Sequence, residues 1–119
     1  MTKQEYYDLL VCSALDGTFP SVSQNGTCLY RAPGNKRCAA GLLISDNLYD
    51  GKMESKSVEH EMVEKVLTIP DGMCLKDIFK CQETHDWEAR NTWNSKRFLT
   101  RINSFQVFDD VQRILGYEE

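Results

Sequence analysis

Apolar residues recur at helical spacing in the first turns of the chain. Tyr6, Leu9, Leu10, Ser13 and Ala14 make one stripe, the recurrence that sets one face of a helix against a core. Thr2 and Glu5 precede it at capping-box spacing, where hydroxyl and carboxylate each satisfy a free backbone N–H. Gly17 stands where a C-terminal cap belongs. The pattern then breaks: "TFPSVSQNG" carries Pro20 and the Asn25-Gly26 turn pair and reads as a loop. "TCLYR" and "KRCAAG" flank the turn residues of "APGN", which predicts a β-hairpin near residues 27–41. "CAAGLLI" can equally begin a helix, since Ala and Leu are strong helix formers. The reading adopted is the hairpin followed by a short helical turn around residues 42–50.

Helical periodicity returns further on. Ser57 is placed to cap a helix carrying Val58, Met62, Val63, Val66 and Leu67, closed by Pro70. Asp71 is a plausible cap for the next, with Leu75, Ile78, Phe79 and Gln82 on one face and Cys74, Cys81 and His85 close to it. Phe98, Leu99, Ile102 and Phe105 form one later stripe. Val107, Phe108, Val111, Ile114 and Leu115 form another, almost opposite on a continuous helix. A straight helix cannot bury both, so a break is expected near Asn103-Ser104, with Ser104 capping a final helix that Gly116 ends. The fold class is therefore α+β: a mainly α-helical single domain, 1–119, of about four to five helices and one small hairpin.

Composition narrows the function classes. At 41% hydrophobic and 27% charged, the 119 residues suit one ordinary globular domain, large enough to fold without disulfides or metal. Fourteen basic against eighteen acidic residues argue against an extended nucleic-acid footprint. No signal-peptide core and no run long enough to span a membrane is visible. Five cysteines is an odd number, and the expectation is reduced thiols in a cytoplasm.

Four clusters carry candidate chemistry. Cys38 follows Lys36 and Arg37, cations of the kind that lower a thiol pKa. His85 and Asp86 could complete a Cys–His arrangement, although neighbours on a helix point about 100° apart, which sets Asp86 poorly for orienting the ring. The bland alternative is a Cys38 buried beside Leu29. The cysteines and histidines offer zinc ligand types, but nine residues separate Cys28 from Cys38 and six separate Cys74 from Cys81. Structural zinc knuckles are tighter, so no metal or other cofactor is expected. A Cys28–Cys38 disulfide fits hairpin geometry but not a reducing compartment. Asp46, Asp50 and Glu54 recur every four residues without the layout of a calcium loop. Trp87 and Trp93 sit in a polar stretch and could close a core or anchor a partner.

The run Cys28, Tyr30, Arg31, Gly34, Cys38, Ala39, Gly41, Leu43, Ile44, Asp46, Tyr49, Asp50, Met53 and Glu54 has the form C-x-Y-R, a Gly turn, C-A-x-G-x-L-I-x-D, Y-D and M-E. It resembles a family of small uncharacterised proteins of tailed bacteriophages and prophages, whose pattern continues to a His-Asp pair and a Trp. His85, Asp86 and Trp93 match that continuation loosely, and residues 88–110 are unmatched. The resemblance implies a phage accessory protein working in a host bacterial cytoplasm.

The expected function is non-enzymatic: binding and inhibiting a host protein, for instance a component of antiviral defence. The expected contacts are Arg31, Asn35, Lys36 and Arg37 at the hairpin tip with Trp87 and Trp93, because loops display side chains on a rigid scaffold and Trp and Arg dominate interface energetics. Two alternatives come from other classes. One is a nucleotide-signal binder, with Arg31 and Arg37 on phosphate and Tyr30 or Trp87 stacking a base. The other is a hydrolase or transferase using Cys38 and His85.

Overall fold

The computed structural model describes residues 1–114. As expected, the chain is mainly helical with one two-stranded antiparallel hairpin. Helix α1 spans Lys3–Asp16. The Thr2–Glu5 capping box is formed, with Glu5 N donating to Thr2 Oγ1 at 3.1 Å and Thr2 N to Glu5 Oε1 at 2.8 Å. Gly17 closes the helix at φ 88°, a left-handed conformation that glycine adopts without a Cβ penalty. The buried face is broader than the stripe, because Tyr7 and Val11 join it.

The hairpin is β1 (Arg31–Ala32) and β2 (Lys36–Arg37), in register Arg31↔Arg37 and Ala32↔Lys36. Gly34 and Asn35 turn it at φ 86° and 60°. Two rungs are too few to stand alone in water. The chain after β2 folds back beneath them instead. A Cβ on Gly41 would clash with the Tyr30 carbonyl oxygen, so only glycine permits this approach. The helical turn expected around residues 42–50 is a 3₁₀ turn over Gly41–Leu43. A second such turn covers Gly51–Met53.

The helix expected after Ser57 is corrected to a single turn, α2, Glu61–Glu64, capped by His60. Ser57 caps only a preceding turn, accepting from Glu59 N at 3.2 Å. A longer helix is forgone because Leu67 extends to bridge Ile44, and Thr68 N donates to Leu43 O at 2.9 Å. Helix α3 spans Leu75–Arg90 and starts at Cys74, not Asp71. Gly72 at φ 83° interrupts the backbone between them, and Asp71 bridges Thr2. Asp77 takes the capping role, accepting from Cys74 N at 3.0 Å.

Helix α4, Ser95–Ser104, breaks where expected, at an extended Phe105. The final helix is not formed among the described residues: a 3₁₀ turn over Gln106–Phe108 replaces it. Ser104 Oγ bonds back to Arg101 O at 2.6 Å instead of capping forward. Leu115 and Gly116 lie outside the described residues. Helix α4 packs on both α1 and α3, burying Phe98, Leu99 and Ile102. Tyr7 joins α1 to α4 and the turn after it, its ring edge-on to Phe108 at 5.4 Å and its hydroxyl donating to Asn103 Oδ1 at 2.6 Å. No helix among the described residues is long and apolar enough to cross a membrane.

Candidate functional site

Burial bears first on the set of the enzyme alternative, Cys38 with His85 and Asp86. Cys38 is fully buried, its Sγ accepting from Gly41 N at 3.3 Å, and burial drives its thiol pKa far above the ordinary value. That is the bland reading of Cys38. Cys28 is the thiol beside the histidine. Ligand atoms of Cys28, His85 and Asp86 lie within 4.8 Å of one another. Burial first, then the charge of Asp86, pushes the Cys28 pKa up to about 11, so it stays a protonated thiol at neutral pH.

His85 is fully buried and Asp86 does orient it, contrary to the expectation from helical geometry. Nδ1 stands 2.9 Å from Asp86 Oδ1, because the short carboxylate swings back along α3, where Gln82 Nε2 also donates to it at 2.9 Å. Ser21 N donates to His85 Nε2 at 3.0 Å. Nε2 is thus the acceptor and Nδ1 carries the proton, a tautomer assigned from the hydrogen bonds. Both nitrogens are engaged, so neither is available as a base toward Cys28. A metal on Nδ1 would move the proton to Nε2 and set two N–H groups against each other. The three residues offer zinc ligand types in one place, but the ring's hydrogen bonds do not fit a metal. Outside them opens a cleft of about 600 Å³ between residues 26–30, residues 54–58 and α3, bearing Lys56, Glu83 and Arg90 at its lining.

The hairpin cations are turned onto the protein. Arg31 Nη1 and Arg37 Nη2 meet Asp46 Oδ1 at 2.8 and 2.9 Å. Arg31 Nη2 also donates to Ile44 O at 2.7 Å, and its guanidinium lies 4.7 Å from the Tyr49 ring centre. Lys36 Nζ donates to Gly17 O. Asn35 is exposed at the turn. Glu54 gathers the rest, accepting from Tyr30 N at 2.8 Å, Arg31 N at 3.1 Å and Tyr49 OH at 2.6 Å. Asp50 caps the Gly51–Met53 turn. The every-fourth acids are therefore internal acceptors and caps. Tyr30, Arg31, Asp46, Tyr49 and Glu54 make one network, and that network is scaffold.

The two tryptophans part company. Trp93 is partly buried against the core: it packs on Phe98 and His85 at 5.2 and 5.6 Å, and its Nε1 donates to Ser95 Oγ at 3.0 Å. Trp87 is 40% exposed, with the Arg101 guanidinium 4.1 Å from its ring centre. Beside it lies a groove of about 400 Å³ walled by Lys80, Glu83, Arg90, Arg101 and Phe105. Beneath, the fully buried Glu88 ties α3 to α4 through Arg97 Nε at 3.1 Å and Arg101 Nε at 3.9 Å.

No known family, curated protein or solved structure matches the chain. Arg101, Arg90, Lys80 and Phe105 were not singled out from the sequence, although a signal was there. Residues 75–104 hold six basic and four acidic residues, against eight and fourteen elsewhere. An acidic chain thus has one locally basic helix pair, with an exposed Trp on it.

Proposed function

We propose that this is a non-enzymatic accessory protein of a phage or prophage that binds and inhibits a host bacterial protein, in the host cytoplasm, through the outer face of α3 and α4. The phage setting is supported by the resemblance of residues 28–54 alone. Docking is supported by one observation: Trp87, exposed and overlain by Arg101 at 4.1 Å beside a groove. Trp and Arg are the residues that most often carry interface energy, provided neighbours can exclude water around them. The engaged nitrogens of His85 and the buried Cys38 speak against the Cys–His enzyme. The nucleotide-signal reading is weakened because its phosphate ligands, Arg31 and Arg37, already hold Asp46.

The contact set moves accordingly, from the hairpin tip and both tryptophans to Trp87 and its surroundings. The test is capture from bacterial lysate on immobilised protein, with Trp87→Ala and Arg31→Glu/Arg37→Glu compared. The expected result is one stoichiometric host protein retained by the wild type and the hairpin variant, inhibited in its own assay, and lost with Trp87→Ala. Capture lost with the hairpin variant but kept with Trp87→Ala would return the contact to the tip. No stoichiometric protein, with an ultraviolet-absorbing small molecule released on denaturation, would replace this reading by the nucleotide one.

A further inference from the structure

The groove beside Trp87 has a neighbour. Lys80 and Phe105 also line a second hollow of about 300 Å³ that reaches Val107. Those shared walls set the two hollows side by side, a divided trough along α3. Its apolar surfaces are the exposed side of Trp87, Phe105 and Val107. Its cations are Lys80, Arg90 and Arg101. Two acids border it: Asp77, whose carboxylate is committed to Cys74 N and Sγ at 3.0 and 3.3 Å, and the exposed Glu83. The negative charge beneath, Glu88, is buried and already paired.

We infer that this trough docks a short acidic segment of a partner protein, one apolar or aromatic side chain flanked by carboxylates. The inference rests on the docking face proposed above and adds the chemistry of its occupant. The apolar side chain lies on Trp87 and Phe105. The carboxylates meet Arg90, Lys80 and the guanidinium of Arg101, which lies 4.1 Å from the Trp87 ring centre and whose Nε also faces the buried Glu88 at 3.9 Å. A guanidinium held over an indole keeps its orientation, so less freedom is lost when a carboxylate arrives. A nucleic-acid strand shares the liking for Trp and Arg, but its long charge array would also meet the acidic remainder of the molecule. A few carboxylates sense only the local cations, within a Debye length of about 8 Å at physiological salt.

The experiment is fluorescence anisotropy with three dye-labelled probes on the intact protein. They are the hexapeptide Asp-Glu-Leu-Phe-Glu-Asp, its amide counterpart Asn-Gln-Leu-Phe-Gln-Asn, and a thymidine oligonucleotide of equal charge. The acidic peptide is expected to saturate, to bind at least about tenfold more tightly than the amide, and to weaken as salt is raised. Lys80→Glu/Arg90→Glu and Trp87→Ala should each weaken it by about tenfold or more. The charge variant touches no core packing, so it decides the matter even if Trp87→Ala folds poorly. Equal binding of the amide peptide, unaltered binding by the charge variant, or tighter binding of the oligonucleotide would each overturn the inference. If the acidic peptide fails while lysate capture still depends on Trp87, the docking face stands and its acidic occupant falls.

Discussion

Two regions of this molecule carry clustered cations and aromatics, and they use them in opposite ways. Around the hairpin, Arg31 and Arg37 converge on Asp46, and Glu54 collects Tyr30, Arg31 and Tyr49. On α3 and α4, Arg101 covers an exposed Trp87, and its one acidic neighbour beneath is shared with Arg97. The first region spends its charges on holding a short hairpin against the core. The second leaves charge facing outward. A basic spot in a sequence becomes a binding candidate only once the acids around it are located in space. Glu54 lies twenty-three positions after Arg31, too far for linear inspection to pair them.

The sharpest way to break the contrast is to damage the scaffold region and look for damage to the other. Gly41→Ala places a methyl against the Tyr30 carbonyl, a backbone atom that cannot rotate away. Its cost is about 3 kcal/mol, the upper end of ordinary overpacking. For a chain of this size that lowers Tm by roughly 10 °C, readable by thermal circular dichroism. At a temperature where the variant is still folded, capture through Trp87 should persist. Loss of both together would show that the two regions are one unit.

Glu54→Ala comes next. It strands two backbone N–H groups and the Tyr49 hydroxyl. Each group left without a partner costs about 1–3 kcal/mol where water cannot replace the carboxylate. Tyr49 and Glu54 are only partly buried, so the total should be about 2 kcal/mol. Chemical denaturation measures it, and a change below about 0.5 kcal/mol, the size of an ordinary surface substitution, would mean that the network does not hold the hairpin.

How far these features were legible in the sequence follows from how local their causes are. The ends of α1 could be read because Thr2, Glu5 and Gly17 act within a turn of themselves. The break at Ser104 could be read because two apolar stripes cannot share one straight helix. The shortness of α2 could not, since it is set by Leu67 meeting Ile44, a pairing remote in sequence. The same holds at the candidate sites. Nothing in the spacing prefers Cys28 over Cys38 as the neighbour of His85, and nothing in "THDWEARNTW" says which tryptophan faces out. The expectation that Asp86 is poorly set to orient His85 failed because side-chain rotation overrode the 100° offset of their Cα–Cβ bonds.

A smaller effect tests the buried edge between the two regions. The Cys28 thiol, with its pKa raised to about 11 in the folded protein from the ordinary 9.0, binds its proton more tightly folded than unfolded. A raised pKa stabilises fully below the unfolded value, and that contribution is lost as pH rises from about 9 to 11. Tm should therefore fall across this window, and the fall should be shallower in Cys28→Ser. Thiol labelling at neutral pH should modify the exposed Cys12 and Cys74 first, Cys28 slowly, and Cys38 and Cys81 only on unfolding. Rapid selective labelling of Cys28 would reverse its reading as an inert thiol.

The smallest effect is the most informative, because it separates binding from folding. Trp87→Ala removes a cation–π contact worth about 0.5–1 kcal/mol at an exposed site. It also replaces an indifferent helix former by the best one, returning about half a kcal/mol. The two nearly cancel, so stability should change by less than about 0.5 kcal/mol, as at other surface positions. Emission should meanwhile shift to the blue, since the remaining indole, Trp93, is packed among Phe19, His85 and Phe98. A variant with unchanged Tm, blue-shifted emission and no captured partner would place the function of Trp87 in its contact with something outside this chain. A loss of Tm by several degrees would place it in the fold, beside Trp93, and the contrast between the two tryptophans would be gone.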